Sequence, residues 1–90
     1  MGRVVVGKID KHLGLRIAQA RSEAGMSLEQ AAMALDLSTT DFAELEAGEE
    51  RISAFCLARI SVFFGRSIGW FYAGLPGQSA FDAKSKSSSI

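Results

Sequence analysis

The side chains of this sequence that could do chemistry are few and far apart. His12 is the only histidine and Cys56 the only cysteine. Neither has a second His or Cys at ligand spacing, and no Asp or Glu residues cluster at such spacing, so no metal site is expected. A Cys–His or Ser–His–acid arrangement would need two separate segments to bring His12 and Cys56 together by chance. The nine glycines form no phosphate-cradling pattern. The reading is therefore a protein without catalysis, metal or cofactor. Cys56 has one further reading. It falls in the first turn of an expected helix, where free N–H groups and the helix dipole lower a thiol's pKa. That makes it a candidate redox-sensitive contact, against the plainer reading of an inert, partly buried thiol.

Charge is the denser signal. Residues 27–50 carry Glu29, Asp36, Asp41, Glu44, Glu46, Glu49 and Glu50 with no Lys or Arg, a net of −7. The flanks are basic. Residues 1–26 set Arg3, Lys8, Lys11, Arg16 and Arg21 against two acids, and residues 51–66 add Arg51, Arg59 and Arg66, each a net of +3. The whole chain is neutral, which argues weakly against nucleic-acid binding. An acidic block between basic ones is either a solvated face or a surface for a basic partner.

The elements that must position these groups are short helices. Ninety residues, 48% of them apolar, make one small domain without disulfide staples, as suits a reducing cytosol. No membrane span or signal peptide is expected. Residues 1–9 read as an arm whose Val4-Val5-Val6 run favours an extended conformation. It either frays or pairs as a strand with a second copy. Asp10 is the expected N-cap of a first helix carrying Leu13, Ile17, Ala20 and Ala24 at helical spacing, with Gly25 as its stop. Ser27 and Gln30 form a capping box for a second helix over 28–35. Ser38 caps a third that buries Phe42 and Leu45 and ends at Gly48. Ser53 caps a fourth with Leu57, Ile60 and Phe64, ended by Gly65. Ser67 caps a short fifth with Ile68, Trp70, Phe71 and Tyr72. Residues 76–90 read as a serine-rich disordered tail. The expected architecture is thus an all-α, five-helix domain over 10–75, with flexible termini. Phe55, Phe63, Phe71 and Tyr72 exceed what one small core holds, so Phe55 and Phe71, beside Cys56, are expected in an exposed patch suited to a homodimer.

The second and third helices, joined by a tight turn, have the helix-turn-helix arrangement. Residues 13–75 resemble the Cro/lambda-repressor (XRE) family. The matching signs are Arg21 four before Gly25, Ser27, Ala32, Leu35, Leu37-Ser38, Glu46 with Gly48 two later, and the Leu57/Ile60/Phe64 ladder. The stretch from Arg51-Ile52-Ser53-Ala54 through Trp70-Phe71 to Gly74-Leu75 is similar to an alphaproteobacterial branch of that family. The resemblance implies a lambda-repressor-like fold and a structural ion pair between Arg21 and Glu46. It implies DNA binding too, with Thr39, Thr40 and Arg51 as the contacts.

The departures point elsewhere. Leu28 stands where the family carries a phosphate-binding Gln. The exposed positions of the third helix, Thr39, Thr40, Asp41, Ala43, Glu44 and Ala47, include no bidentate donor to a purine. The leading expectation is therefore a cytoplasmic regulator that acts by protein–protein contact through Asp41, Glu44, Glu49 and Glu50. A nucleic-acid-handling protein is the target class expected, as the object of inhibition. A DNA-binding transcriptional regulator is the alternative.

Overall fold

The computed structural model describes residues 7–75. The tail at 76–90 and most of the arm at 1–9 lie outside them. Five helices follow in order: α1 Lys8–Glu23, α2 Leu28–Ala34, α3 Thr39–Ala47, α4 Ala54–Phe64 and α5 Ile68–Tyr72. No strand occurs among the described residues.

The starts of α2, α3, α4 and α5 share one device. Ser27, Ser38, Ser53 and Ser67 each accept the N–H of the residue three positions on, satisfying an otherwise orphaned donor. Gln30 closes the box at α2 by accepting from the Ser27 N–H at 2.8 Å. The first helix departs from expectation. It begins at Lys8 with Gly7 as the cap, and Asp10 sits inside its first turn. A carboxylate there suits the positive helix end and reaches back to the cap. Asp10 accepts from the Gly7 N–H and also from the Ile52 N–H, both at 3.2 Å. It is buried, and it ties the start of α1 to the loop that precedes α4.

Leu13, Ile17, Ala20, Ala31, Ala32, Leu35, Phe42, Leu45, Leu57, Ile60 and Phe71 form one core. Its tightest seam lies between α1 and α3. A Cβ on Gly14 would stand 2.5 Å from the carbonyl oxygens of Leu45 and Glu46, so α3 rests directly on the α1 backbone. Gly48, with φ +72°, ends α3, and a Cβ there would stand 2.6 Å from the Lys11 Cα. Left-handed backbone and close approach both demand glycine at 48. The turn after α2 meets the same left-handed need with Asp36, at φ 60°.

Above the glycine seam, Arg21 forks onto Glu46. Its Nε donates to Oε2 at 2.6 Å and its Nη2 to Oε1 at 3.0 Å, while Nη1 donates to the Met26 carbonyl at 3.0 Å. Donation to Glu46 is the main cause that raises the Arg21 pKa, against the opposing effect of burial. A base raised in the folded state contributes stability that is lost only as pH climbs through its own pKa, far into the alkaline range. The pair therefore holds throughout the neutral range.

The fifth helix is too short to persist alone, and α1 completes it. Arg16 donates to the Trp70 carbonyl through Nε at 3.0 Å and Nη2 at 2.8 Å. His12 Nε2 donates to the Ala73 carbonyl at 2.7 Å. Cations and donors at a helix C-terminus satisfy its free carbonyls. The guanidinium groups of Arg16 and Arg66 both stack on the Trp70 ring, 3.8 and 4.2 Å from its centroid. Arg66 also pairs with Glu23. His12 is half-buried because the end of α5 lies against it.

Two outcomes test this account. Gly14→Ala should lose about 3 kcal/mol to overpacking, more than the about 1 kcal/mol that alanine adds to a helix. Gly69→Ala, whose Cβ would meet nothing nearer than 3.8 Å, should be neutral or stabilising in denaturant unfolding. Arg21→Ala should lower stability by about 2–3 kcal/mol, somewhat less than the loss of one partner from a fully buried pair. Thermal melts should show no comparable loss for Arg51→Ala, whose side chain is exposed and makes no ion pair among the described residues.

Candidate functional site

The surface that a helix-turn-helix would offer a ligand is built by the starts of α2 and α3. At α2 the polar groups are already engaged. The Gln30 amide oxygen serves the Ser27 cap, and Leu28 packs against the core. At α3 Thr39 and Thr40 occupy the first two positions, both exposed, because the Ser38 cap turns the chain so that Phe42 and Leu45 face inward. Arg51 is exposed in the loop before α4 and lines an open hollow with Gly7, Lys8, Asp10 and Tyr72. Lys11 packs its stem against Gly48. Lys8, Lys11 and Arg51 make no ion pair among the described residues.

The other arginines among the described residues are committed elsewhere. Arg16 and Arg66 lock α5, Arg21 holds Glu46, and Arg59 donates to the Leu35 carbonyl at 2.8 Å, closing the end of α2. Sequence reasoning counted all four in the basic flanks. Arg21 and Arg66 are neutralised by Glu46 and Glu23, while Arg16 and Arg59 keep their charge and spend donors on backbone carbonyls. The signal that could have flagged Arg16 is its spacing from His12, one helical turn away on α1.

The acidic block is more concentrated than its spacing suggested. Ligand oxygens of Asp41, Glu44 and Glu50 all lie within 4.8 Å of one another. The expectation that no carboxylates cluster is corrected on this point. The left-handed turn at Gly48 folds Glu50 back over α3, a contact that linear spacing does not reveal. Hydrogen bonding to Glu50 is the main cause that pushes the Glu44 pKa up, followed by desolvation and by the charges of Glu50, Asp41 and Glu49. Glu49 and Glu50 are exposed, as is Asp41, while Glu44 is half-covered. Glu46, drawn into the pair with Arg21, is not part of this face.

Two further expectations need correction. Phe71 cannot serve a dimer contact or a redox surface, because its ring is wholly buried, at 0% exposure. The fifth helix turns Phe71 into the core and leaves Trp70 to the arginines. Cys56 is half-buried, and burial pushes its thiol pKa up, with only the nearby Arg59 opposing. The helix start that was expected to activate it is occupied by Ser53, which accepts the Cys56 N–H at 3.0 Å. The thiol is thus shifted away from the reactive thiolate. Phe55, by contrast, is 75% exposed.

A raised carboxyl pKa disfavours the ionised form in the folded state. Its contribution to stability is therefore fully present below the unfolded pKa and is lost as pH rises through the folded one. In a carboxyl-detected NMR titration Glu44 should titrate above an ordinary glutamate, and Glu50→Gln should bring it back down. A Glu44 pKa unmoved by that substitution would mean that the two carboxyl groups do not share a proton.

A helix-turn-helix domain family model matches residues 12–68, more than half of the chain. A search of curated proteins finds no match. Solved structures share the fold. Two crystal structures of the clp gene regulator ClgR from Corynebacterium glutamicum superpose with TM-scores of 0.69 and 0.72. They are 23% and 24% identical to this chain. The first alignment covers 78% of this chain and 96% of that one, the second 94% and 90%. The DNA-binding domain of BldD gives a TM-score of 0.66 at 18% identity, covering 76% of this chain and 97% of that one. With the capped α2–turn–α3 unit and the match across it, this chain belongs to the helix-turn-helix domain family.

Proposed function

We propose that this domain is a DNA-binding transcriptional regulator, not an enzyme, that works in the bacterial cytoplasm. Within its family we assign it to the Cro/lambda-repressor type, in the branch that resembles alphaproteobacterial sequences. The observation that carries the reading is the α2–turn–α3 unit with Thr39 and Thr40 exposed at the start of α3. Structures of the same fold include a clp gene regulator and the DNA-binding domain of BldD, which favours this function over others. No helix among the described residues is long and apolar enough to cross a membrane.

The chemistry of binding follows from which side chains are left over. Threonine hydroxyls take phosphate or base contacts and threonine methyls meet the thymine methyl, so α3 reads by short-range fit. Phosphate neutralisation falls to Lys8, Lys11 and Arg51. Three such contacts give a log–log salt slope of only about −3 per copy. Asp41 and Glu44 oppose the DNA backbone from α3, so affinity is modest and discrimination rests on the threonines.

The acidic face supports a second reading, in which Asp41, Glu44, Glu49 and Glu50 dock a basic protein surface. The carboxylates gathered within 4.8 Å favour it. The two readings give opposite signs in one experiment. Genomic fragments selected by the purified protein are titrated by fluorescence anisotropy at several salt concentrations. If α3 reads DNA, neutralising Asp41 and Glu44 to Asn and Gln strengthens binding. Arg51→Ala weakens it on all sequences and lowers the salt slope by about 1. Thr40→Ala relaxes sequence preference. No fragment bound more tightly than the about micromolar non-specific range would sink the DNA reading. A protein partner lost on charge reversal of the four acids would then establish the second.

A further inference from the structure

We propose that Asp10 is a positioning residue for DNA binding, joining Lys8 and Arg51 into one clamp for a backbone phosphate. The inference rests on the DNA-binding reading and adds to it the group that sets its geometry. Asp10 Oδ2 accepts from the Gly7 N–H and Oδ1 from the Ile52 N–H, both at 3.2 Å. Each of those amides adjoins a cation along the chain: Lys8 follows Gly7, and Arg51 precedes Ile52. Lys8 and Arg51 line one hollow of about 660 Å³, and neither has an ion-pair partner among the described residues.

Capping α1 would need only the oxygen that serves Gly7. The other oxygen crosses to the loop before α4, and the bond it receives is the only hydrogen bond that residues 51–52 make among the described residues. Without that bond the segment would be held by the apolar packing of Ile52, which is non-directional. Asp10 lines the same hollow as the two cations yet forms no salt bridge with either. Backbone N–H groups engage both its oxygens, and it is buried at 9% exposure, so the two positive charges are left for an external anion. A pair of cations whose backbones are already fixed binds a phosphate better than two independent ones, because the ordering entropy is lost in folding and not in binding. As a bare charge, by contrast, Asp10 opposes DNA. Positioning and charge therefore predict opposite signs when the carboxylate is removed.

The probe is a random-sequence DNA duplex, which tests phosphate contacts apart from sequence, titrated by fluorescence anisotropy at several salt concentrations. Asp10→Asn keeps the shape of the side chain but only one acceptor oxygen, and it removes a negative charge. If Asp10 acts only through its charge, the variant binds more tightly. If it positions the clamp, the variant keeps wild-type circular dichroism, binds about fivefold more weakly and loses about 1 from the salt slope. Lys8→Ala and Arg51→Ala should be coupled in the wild type, the double variant losing less than the product of the two single losses. In the Asp10→Asn background they should act independently. Binding by Asp10→Asn as tight as wild type or tighter overturns the inference, as does a wild-type chain that ignores the random duplex at low salt. If Asp10→Asn fails to fold, the Lys8–Arg51 coupling decides, since both side chains are exposed: independent effects in the wild type reject the clamp. A clamp that fails while α3 still selects genomic fragments leaves the DNA reading standing. A clamp that passes while no fragment is selected sinks that reading and upholds Asp10 as the organiser of a polyanion site.

Discussion

The seam between α1 and α3 is the constraint on which the other helices depend. With no side chain at Gly14, the carbonyls of Leu45 and Glu46 come into contact with the α1 backbone, and Gly48 lets the end of α3 pass the Lys11 Cα. Two helices this close leave no room for a flexible spacer, so their relative angle is fixed by backbone sterics and not by adaptable packing. Arg21 then pins the same two helices by its fork onto Glu46, with its remaining nitrogen on the Met26 carbonyl. That last bond fixes the loop leading into α2. The relative placement of α2 and α3, which defines any surface they present, is thus set from α1.

Holding such a small domain together uses up most of its arginines. Arg16 and Arg66 sandwich the fifth helix against α1 through Trp70, and Arg59 closes α2. These groups are placed where guanidinium geometry, with several donors and a flat stacking face, does what lysine cannot. The cost falls on the electrostatics of the outer surface. The cations with no partner of either kind among the described residues, Lys8, Lys11 and Arg51, lie at the start of α1 and before α4, while α3 and its following loop carry the gathered carboxylates. A ligand approaching α3 meets hydroxyls and negative charge, with positive charge only to one side.

The fourth helix differs in kind. Its inner residues Leu57, Ile60 and the buried Ser61, which donates to the Arg66 carbonyl, close the core and the turn to α5. Its outer residues Phe55, Ala58, Val62 and Phe63 are apolar too, with Arg59 the one charged group among them. Cys56 sits between the two faces, half-covered, where burial pushes its thiol pKa up.

Local chemistry marked out most of the helix boundaries. The Ser27, Ser38, Ser53 and Ser67 caps, the stop at Gly48 and the spacing of Phe42, Leu45, Leu57 and Ile60 act within a turn or two, so they are legible in order along the chain. The partnership of Arg21 with Glu46 was legible only through resemblance. Tertiary structure decided everything that joins residues far apart in sequence. Asp10 moved from an expected cap to a buried acceptor because the Ile52 N–H arrives from the α3–α4 loop. Phe71 moved from the expected surface to the core because α1 docks α5 by way of His12 and Arg16. Glu50 joined Asp41 and Glu44 because the chain reverses at Gly48. The demand for glycine at position 14 arises only from what lies opposite it. Sequence periodicity shows which face of a helix is apolar, but which neighbour covers that face, and which charges are consumed in holding it there, is settled by contacts between segments that the local pattern does not encode.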